Sequence, residues 1–290
     1  MIKRLLIFGC GYSCSRLGKS LTHLGWEVFG TVRSHKKATE IENFGIKSVF
    51  FEDEEKLKAI MADEISILVS IPPSSDGDVV LERFASSIDF LFRNVNWLGY
   101  FSTTGVYGNY DGEWVNEDSQ LKASFGLGKN RILAEKKWNE INRNMEIPLY
   151  IFRLSGIYGP CRSVIERLRS GVAKKIIKKD HYFNRIHVDD ISGVVIKSLN
   201  FPDLAGIYNV SDDFPCPGYE VVEEAARLLG ISPVEEVDFE DANLSEMAKK
   251  FYCDSKRISN KKLKEVLGYK LLFPNYETGL RSILQKTKRS

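Results

Sequence analysis

The sequence predicts an α/β protein, a doubly wound parallel sheet with a smaller C-terminal α/β lobe. Three observations predict it. Apolar runs of strand length alternate with segments of helical period through the first half of the chain. The first of these runs, Leu5-Leu6-Ile7-Phe8, ends in Gly9-Cys10-Gly11 and passes directly into a helical pattern. No Gly/Ser-rich or proline-rich linker, internal repeat or low-complexity tract interrupts the 290 residues.

Strands are read at 4–9, 27–32, 47–51, 65–71, 97–102 and 148–153, and helices at 13–24, 36–43, 54–62, 78–93 and 126–142. The strand runs are apolar nearly throughout, as strands covered on both faces must be. Strand–helix–strand units joined by right-handed crossovers give a parallel sheet with helices on each side. Beyond about residue 154 the pattern loosens. Gly156-Ile157-Tyr158-Gly159-Pro160 reads as a loop. Helices fit 163–170, then 189–199 with Asp189 and Asp190 at the positive end, then 218–229 with Gly230 as a stop. The last two are placed at 255–267, capped by Asp254-Ser255, and at 276–285. Residues 1–160 are assigned to a Rossmann dinucleotide-binding domain, to which 186–210 returns, and 161–290 to the smaller lobe.

The Gly9-x-Gly11 turn carries the chemistry of the first half. Gly9 permits the tight turn. Gly11 lets backbone approach a pyrophosphate, whose charge sits against the free N–H groups of Tyr12, Ser13 and Cys14 and the positive end of the helix. Cys14 stands where the dinucleotide fingerprint has its third glycine, and is small enough for an imperfect version of the same helix–strand contact. The second strand ends in Arg33-Ser34-His35-Lys36-Lys37, with no acid to accept from a ribose 2′-hydroxyl. Arg33 suits a 2′-phosphate or the adenine face, so NADP is expected ahead of NAD. The fourth strand runs out at Ile71-Pro72-Pro73, an apolar wall for the adenosine side.

Composition excludes several classes. With 43% hydrophobic and 28% charged residues the chain has an ordinary core. A net charge of +2 makes no electrostatic case for nucleic acid or an anionic membrane. No segment approaches the roughly 20 apolar residues of a membrane span, and the short apolar start runs into the glycine turn rather than forming a secretory signal. Cysteines 10, 14, 161, 216 and 253 have no metal-like spacing. An odd, scattered set reads as free thiols in a reducing cytoplasm, with no metal site.

Five further segments follow in order: Phe101-Ser102-Thr103-Thr104-Gly105-Val106-Tyr107-Gly108, Trp114-Val115-Asn116-Glu117-Asp118, Arg153-Leu154-Ser155-Gly156-Ile157-Tyr158-Gly159-Pro160, Arg185-Ile186-His187-Val188-Asp189-Asp190-Ile191 and Tyr208-Asn209-Val210. Together they resemble the "SST-x-VYG", "V-x-E", "R-x-x-x-x-YGP", "IHVDD" and "YN-(V/I)" segments of the extended short-chain dehydrogenases/reductases, the NAD-dependent epimerase/dehydratase family. The resemblance implies an NAD(P)-binding Rossmann domain and a C-terminal lobe that receives a small-molecule substrate, often a nucleotide sugar. It also implies that a Ser/Thr on the fifth strand holds the substrate oxygen. The match here is Thr103, with Thr104 the near alternative.

The family's proton-transfer pair, Tyr-x-x-x-Lys, is absent. One register gives Phe125-x-x-x-Lys129; the other gives Leu127-x-x-x-Arg131 and keeps Ala134-Glu135 in place, and is preferred. Neither contains a tyrosine. Arg131 can grip ribose hydroxyls through its fork but does not give up its proton. Lys129 is a candidate base where it is desolvated beside a cofactor. Tyr107 reads as structural, Tyr158 as either cleft wall or packing, and His187 as a local hydrogen-bonding residue at a helix entry. Arg185 is left between an anionic substrate group and a pairing with Asp189. The expected function is an NAD(P)-dependent oxidoreductase or epimerase-like enzyme acting on a hydroxyl or carbonyl substrate. The alternative is a non-catalytic NAD(P)-binding sensor or scaffold. A homodimer through the helices at 78–93 and 126–142 is what the resemblance adds.

Overall fold

β1 (Arg4–Phe8) shows how the sheet is buried: Leu5 and Ile7 enter one hydrophobic layer, Leu6 and Phe8 the other, and none touches solvent. A computed structural model describes residues 2–123, 126–231 and 233–287 of the chain. After β1 come α1 (Tyr12–His23), β2 (Glu27–Val32), α2 (His35–Glu42), β3 (Lys47–Phe50), α3 (Glu54–Ile60), β4 (Ile65–Val69), α4 (Val79–Arg83), α5 (Ile88–Phe92) and β5 (Val95–Thr103). The middle of the chain supplies β6 (Trp114–Val115), α6 (Gly126–Met145), β7 (Leu149–Leu154) and β8 (Gly156–Tyr158). The rest supplies α7 (Val164–Arg169), β9 (Lys175–Ile177), β10 (Arg185–His187), α8 (Val188–Ser198), β11 (Gly206–Val210), α9 (Gly218–Leu229), β12 (Glu236–Asp238), α10 (Glu246–Phe251), β13 (Arg257–Ile258), α11 (Lys261–Glu265) and α12 (Tyr276–Thr287).

Seven of these strands form one sheet in the order β3-β2-β1-β4-β5-β7-β11, every pair parallel. This is the doubly wound α/β fold. The strand order reverses between β1 and β4, so a crevice opens at their carboxyl ends, the place where such sheets receive ligands. α1, α2, α8 and α11 cover one face, and α3 to α6 the other. β11 closes the sheet at the far edge beside β7. A third hydrophobic cluster, with Tyr158, Ile165, Val222, Tyr276 and Leu280, belongs to the C-terminal lobe and joins α7, α9 and α12. The short parallel pair β8–β10 leads from the carboxyl edge of the sheet into that lobe.

Two sequence expectations are corrected. The segment 78–93 is not one helix but α4 and α5, separated at 84–87. Phe84 is wholly buried against Phe8 and Phe51, and the chain turns there, with the Ser87 N–H donating to the Phe84 carbonyl. The serines of Phe84-Ala85-Ser86-Ser87 are poor at holding a helix through such a bend. One of the two long helices invoked for a dimer is therefore missing, while α6 runs its full 20 residues. The segment 255–267 is likewise not one helix. Residues 257–258 pair as β13 with β6, and only Lys261–Glu265 is helical. Ser255 is spent on a loop, its carbonyl accepting from the N–H groups of Tyr110 and Gly112. Lys256 is buried, with its ammonium donating to the Gly108 carbonyl at 2.8 Å.

Candidate dinucleotide crevice and adjoining pocket

The turn after β1 is built so that only glycine fits its first position. Gly9 has φ +89°, and a Cβ there would lie 2.8 Å from Ile71 Cγ1 and 3.0 Å from the Ile71 nitrogen, beyond the end of β4. Its N–H donates to Thr31 Oγ1 at 2.8 Å, and the Cys10 N–H to the Thr31 carbonyl at 3.1 Å, so the turn is tied to the end of β2. Gly11 differs. Its φ is −85°, and nothing lies within 4 Å of where its Cβ would stand. Gly9→Ala is expected to cost about 1–3 kcal/mol of stability, and Gly11→Ala to stay within about 0.5 kcal/mol of the parent. Urea unfolding of both variants checks this, and equal losses would refute it.

α1 begins without a cap. Gly11 offers no side chain and the first turn holds no acid. The first intrahelical bond runs from the Ser15 N–H to the Gly11 carbonyl at 2.8 Å, which leaves the N–H groups of Tyr12, Ser13 and Cys14 without a partner among the described residues. Cys14 fills the third-glycine position as a buried thiol whose burial raises its pKa. Burial also lifts Cys10 to about 11, so both thiols are inert packing. The close approach of helix to sheet falls one turn later. A Cβ on Gly18 would run into Ile46 Cδ1, a role that a search confined to the three-glycine spacing misses.

The other sequence-derived residues fall along the same carboxyl edge. Arg33 is exposed just past β2. Ile71 is half-buried and Pro72 exposed just past β4. Thr103 closes β5 half-buried, its hydroxyl oxygen accepting the Gly105 N–H at 3.1 Å, which leaves its own O–H to offer. Thr104 is buried and turned to the Leu154 carbonyl, and Ser102 is buried against Glu135. Of the three hydroxyls Thr103 is the one that faces outward. Arg131 is half-buried beneath the same strand end, with Nη1 donating to Tyr100 Oη at 2.9 Å and to the Phe101 carbonyl at 2.5 Å. The lysine and tyrosine positions do not join them. Lys129 is exposed, and Leu127 is 70% exposed. Phe125, the head of the other register, lies outside the described residues.

Behind this edge the motif segments meet in one buried network. Glu135 and Arg153 pair at 2.8 Å, their side chains 4% and 3% exposed. Ser102 donates to Glu135 Oε1, and Arg153 Nη1 donates to Tyr107 Oη at 3.0 Å and to the Glu117 carbonyl. Tyr107 donates to Asn209 Oδ1 at 2.7 Å, and the Asn209 N–H to Glu117 Oε1 at 2.8 Å. Tyr107 is thus structural, and Glu135 and Arg153 are the pair that pattern matching alone leaves without a role. His187 caps α8, its Nδ1 accepting the Asp189 N–H at 3.2 Å. Asp189 pairs with Arg16 at 3.0 Å, not with Arg185.

Arg185 instead turns into the C-terminal lobe, where it lines a cavity of about 320 Å3. Arg167 and Lys174 supply two more cations, the latter paired with Glu235 at 2.8 Å, Phe183, Tyr252 and Tyr276 supply rings, and among the described residues no carboxylate lines the wall. Tyr158 forms the side nearest the sheet. The cavity therefore suits an anion that carries a flat ring. Among the described residues no group of His, Cys, Asp or Glu is placed to hold a metal ion, and no helix is long and apolar enough to cross a membrane.

A conserved protein of unknown function from Silicibacter pomeroyi DSS superposes with a TM-score of 0.91 and 38% identity, over 98% of this chain and 99% of that one. The chain belongs to one family with it. Protein YeeZ of Escherichia coli K12 is 26% identical over 285 residues, 94% of this chain and 97% of that protein. No family model matches the sequence. The fold extends further. The dTDP-glucose 4,6-dehydratase of Bacillus anthracis str. Ames, solved with NAD, gives a TM-score of 0.78 at 17% identity, covering 99% of this chain and 97% of its own. UDP-sugar 4-epimerases share the architecture as well. The fold these proteins share is thus kept along the whole of this chain.

Proposed function

We propose that this chain binds a nicotinamide dinucleotide, NADP ahead of NAD, and is an oxidoreductase or epimerase-like enzyme of the cytoplasm acting on a hydroxyl or carbonyl substrate. The observation that carries the reading is the start of α1: three unpartnered N–H groups, no cap, no acid, and open space beside Gly11. A diphosphate is the ligand such a helix end favours. Arg33, with no acid at the end of β2, favours the cofactor that bears a 2′-phosphate. The bound dinucleotide would supply hydride chemistry at the edge that Thr103 occupies. Thr103 would offer its O–H to the substrate oxygen, and Arg131 would turn the donors not spent on Tyr100 and Phe101 toward the nicotinamide ribose. The lobe cavity, cationic and ring-lined, fits a nucleotide sugar, the class that the dTDP-glucose dehydratase acts on.

A second reading has its own observation. Leu127 is exposed where the fold's proton-transfer tyrosine is expected, and Lys129 is exposed too. That favours a protein that binds NAD(P) without turnover, as a sensor or scaffold. Titration with NADPH and NADH, read by tryptophan fluorescence, tests the shared premise. NADPH is expected to bind more tightly, and Gly11→Ala to weaken it about tenfold or more by filling the space the diphosphate needs. No binding of either nucleotide would end both readings. Binding without NADPH oxidation across a panel of carbonyl compounds and sugar nucleotides would select the second.

A further inference from the structure

The turn Gly159-Pro160-Cys161-Arg162 is seated on the first turn of α1. Tyr12 Oη donates to the Pro160 carbonyl at 2.9 Å. A Cβ on Gly159 would stand 2.6 Å from Tyr12 Oη and 2.6 Å from Val188 Cγ1, so backbone is pressed against the ring. The turn is closed by a pair of bonds between Gly159 and Arg162, at 3.1 and 3.0 Å, with Cys161 at φ +62° between them. This fixes where Arg162 leaves the backbone. Its guanidinium lies over the Tyr12 ring, 5.6 Å from the centroid.

Charge around Tyr12 is unevenly settled. Two arginines flank it, Arg16 and Arg162. Arg16 is neutralised by Asp189 at 3.0 Å. Arg162 is exposed and in no ion pair among the described residues. One unpaired guanidinium, held by an aromatic platform, therefore stands on the residue whose N–H opens the uncapped helix. An arginine fork matches two phosphate oxygens at once, and parking it on a ring in advance lowers the cost of ordering it.

We propose that Arg162 is a cofactor-binding residue that closes over the diphosphate from the side opposite the α1 N–H groups, with Tyr12 as its platform. The inference rests on the reading of the α1 crevice as a dinucleotide site. It gives the turn a purpose that the sequence motif ending at Pro160 leaves out: the next two residues reach back across the crevice, so the lobe that holds the substrate also holds the cofactor's charged centre. Ser163 and Val164, which follow, already line the lobe cavity.

Calorimetric titration of the full chain with ADP-ribose tests this, because that probe carries the diphosphate and no nicotinamide. Arg162→Gln is expected to weaken ADP-ribose about tenfold or more, with Arg162→Lys recovering part of the loss and no change in melting temperature. In a Tyr12→Leu background the same substitution is expected to cost less than in the parent, because the platform is gone. Parallel titration with UDP separates the crevice from the lobe cavity. A parent that binds ADP-ribose and an Arg162→Gln variant that binds it within twofold would overturn the assignment alone, as would a loss confined to UDP. A parent that binds no ADP-ribose would remove the dinucleotide reading, and this inference with it.

Discussion

Glu135→Ala is expected to cost about 3–5 kcal/mol of folding free energy, the range found when one member of a buried ion pair is removed. Arg153 would keep Tyr107 and the Glu117 carbonyl but lose both carboxylate oxygens, and a guanidinium 3% exposed would have no counter-charge. Ser102 would lose its acceptor in the same step. In a chain of this size the melting temperature should fall on the order of 10 °C. Replacing both Glu135 and Arg153 by methionine should cost less than Glu135→Ala, since no buried charge is then stranded. Urea unfolding followed by far-UV circular dichroism gives both values. A loss below about 1 kcal/mol for Glu135→Ala, the level of an exposed pair, would refute the view that this network frames the site.

The second large effect is one of pH. Asp212 follows β11 by two residues and is 1% exposed. Its Oδ1 accepts the Phe214 N–H at 3.2 Å, while its Oδ2 has no partner among the described residues. Burial pushes its pKa up to about 8, with the Phe214 N–H and Arg185 only partly opposing. The folded state therefore holds a proton that the unfolded chain releases near pH 4. The sign follows. This group's contribution is full below about pH 4, falls by about 1.4 kcal/mol for each pH unit through the window from about 4 to 8, and is flat above it. Asp212→Asn keeps an acceptor for Phe214 and cannot ionise. It should match the parent near pH 4 and exceed its stability by several kcal/mol at pH 9. Parallel stability curves for the two proteins from acid to alkaline pH would refute the assignment.

Much of the fold is legible in the residues themselves. β1 announces itself because four apolar side chains in succession have no solvent face to serve, and Gly9-x-Gly11 marks the only way out of that strand into α1. The break at Phe84 is less visible. Helical spacing at Leu81, Phe84, Ile88 and Leu91 is satisfied by two short helices as well as by one, and the choice is made by Phe8 and Phe51, far away in sequence. Lys256 was hidden for a similar reason. A basic run looks solvated until the Gly108 carbonyl, which needs a donor, is placed beside it.

At the site the division runs along the same line. Backbone requirements could be read: the positive φ at Gly9 and the bare start of α1 follow from local chemistry. Thr103 over Thr104 could not be decided by spacing, because both follow the same strand and only the Leu154 carbonyl shows which one turns inward. Arg162 and Asp212 belong to no spacing rule. Each is defined by what a distant segment brings to it, the Tyr12 ring in one case and the closed interior around Tyr158 and Arg185 in the other.

The buried bonding among Ser102, Tyr107, Glu117, Glu135, Arg153 and Asn209 bears on what recognisable words in a protein mean. Read along the chain, they look like the vocabulary of a reaction. In space they are a truss, bolting strand ends and loops into a single piece. Such letters are kept for the weight they carry, since erasing one would loosen the building whatever chemistry goes on beside it.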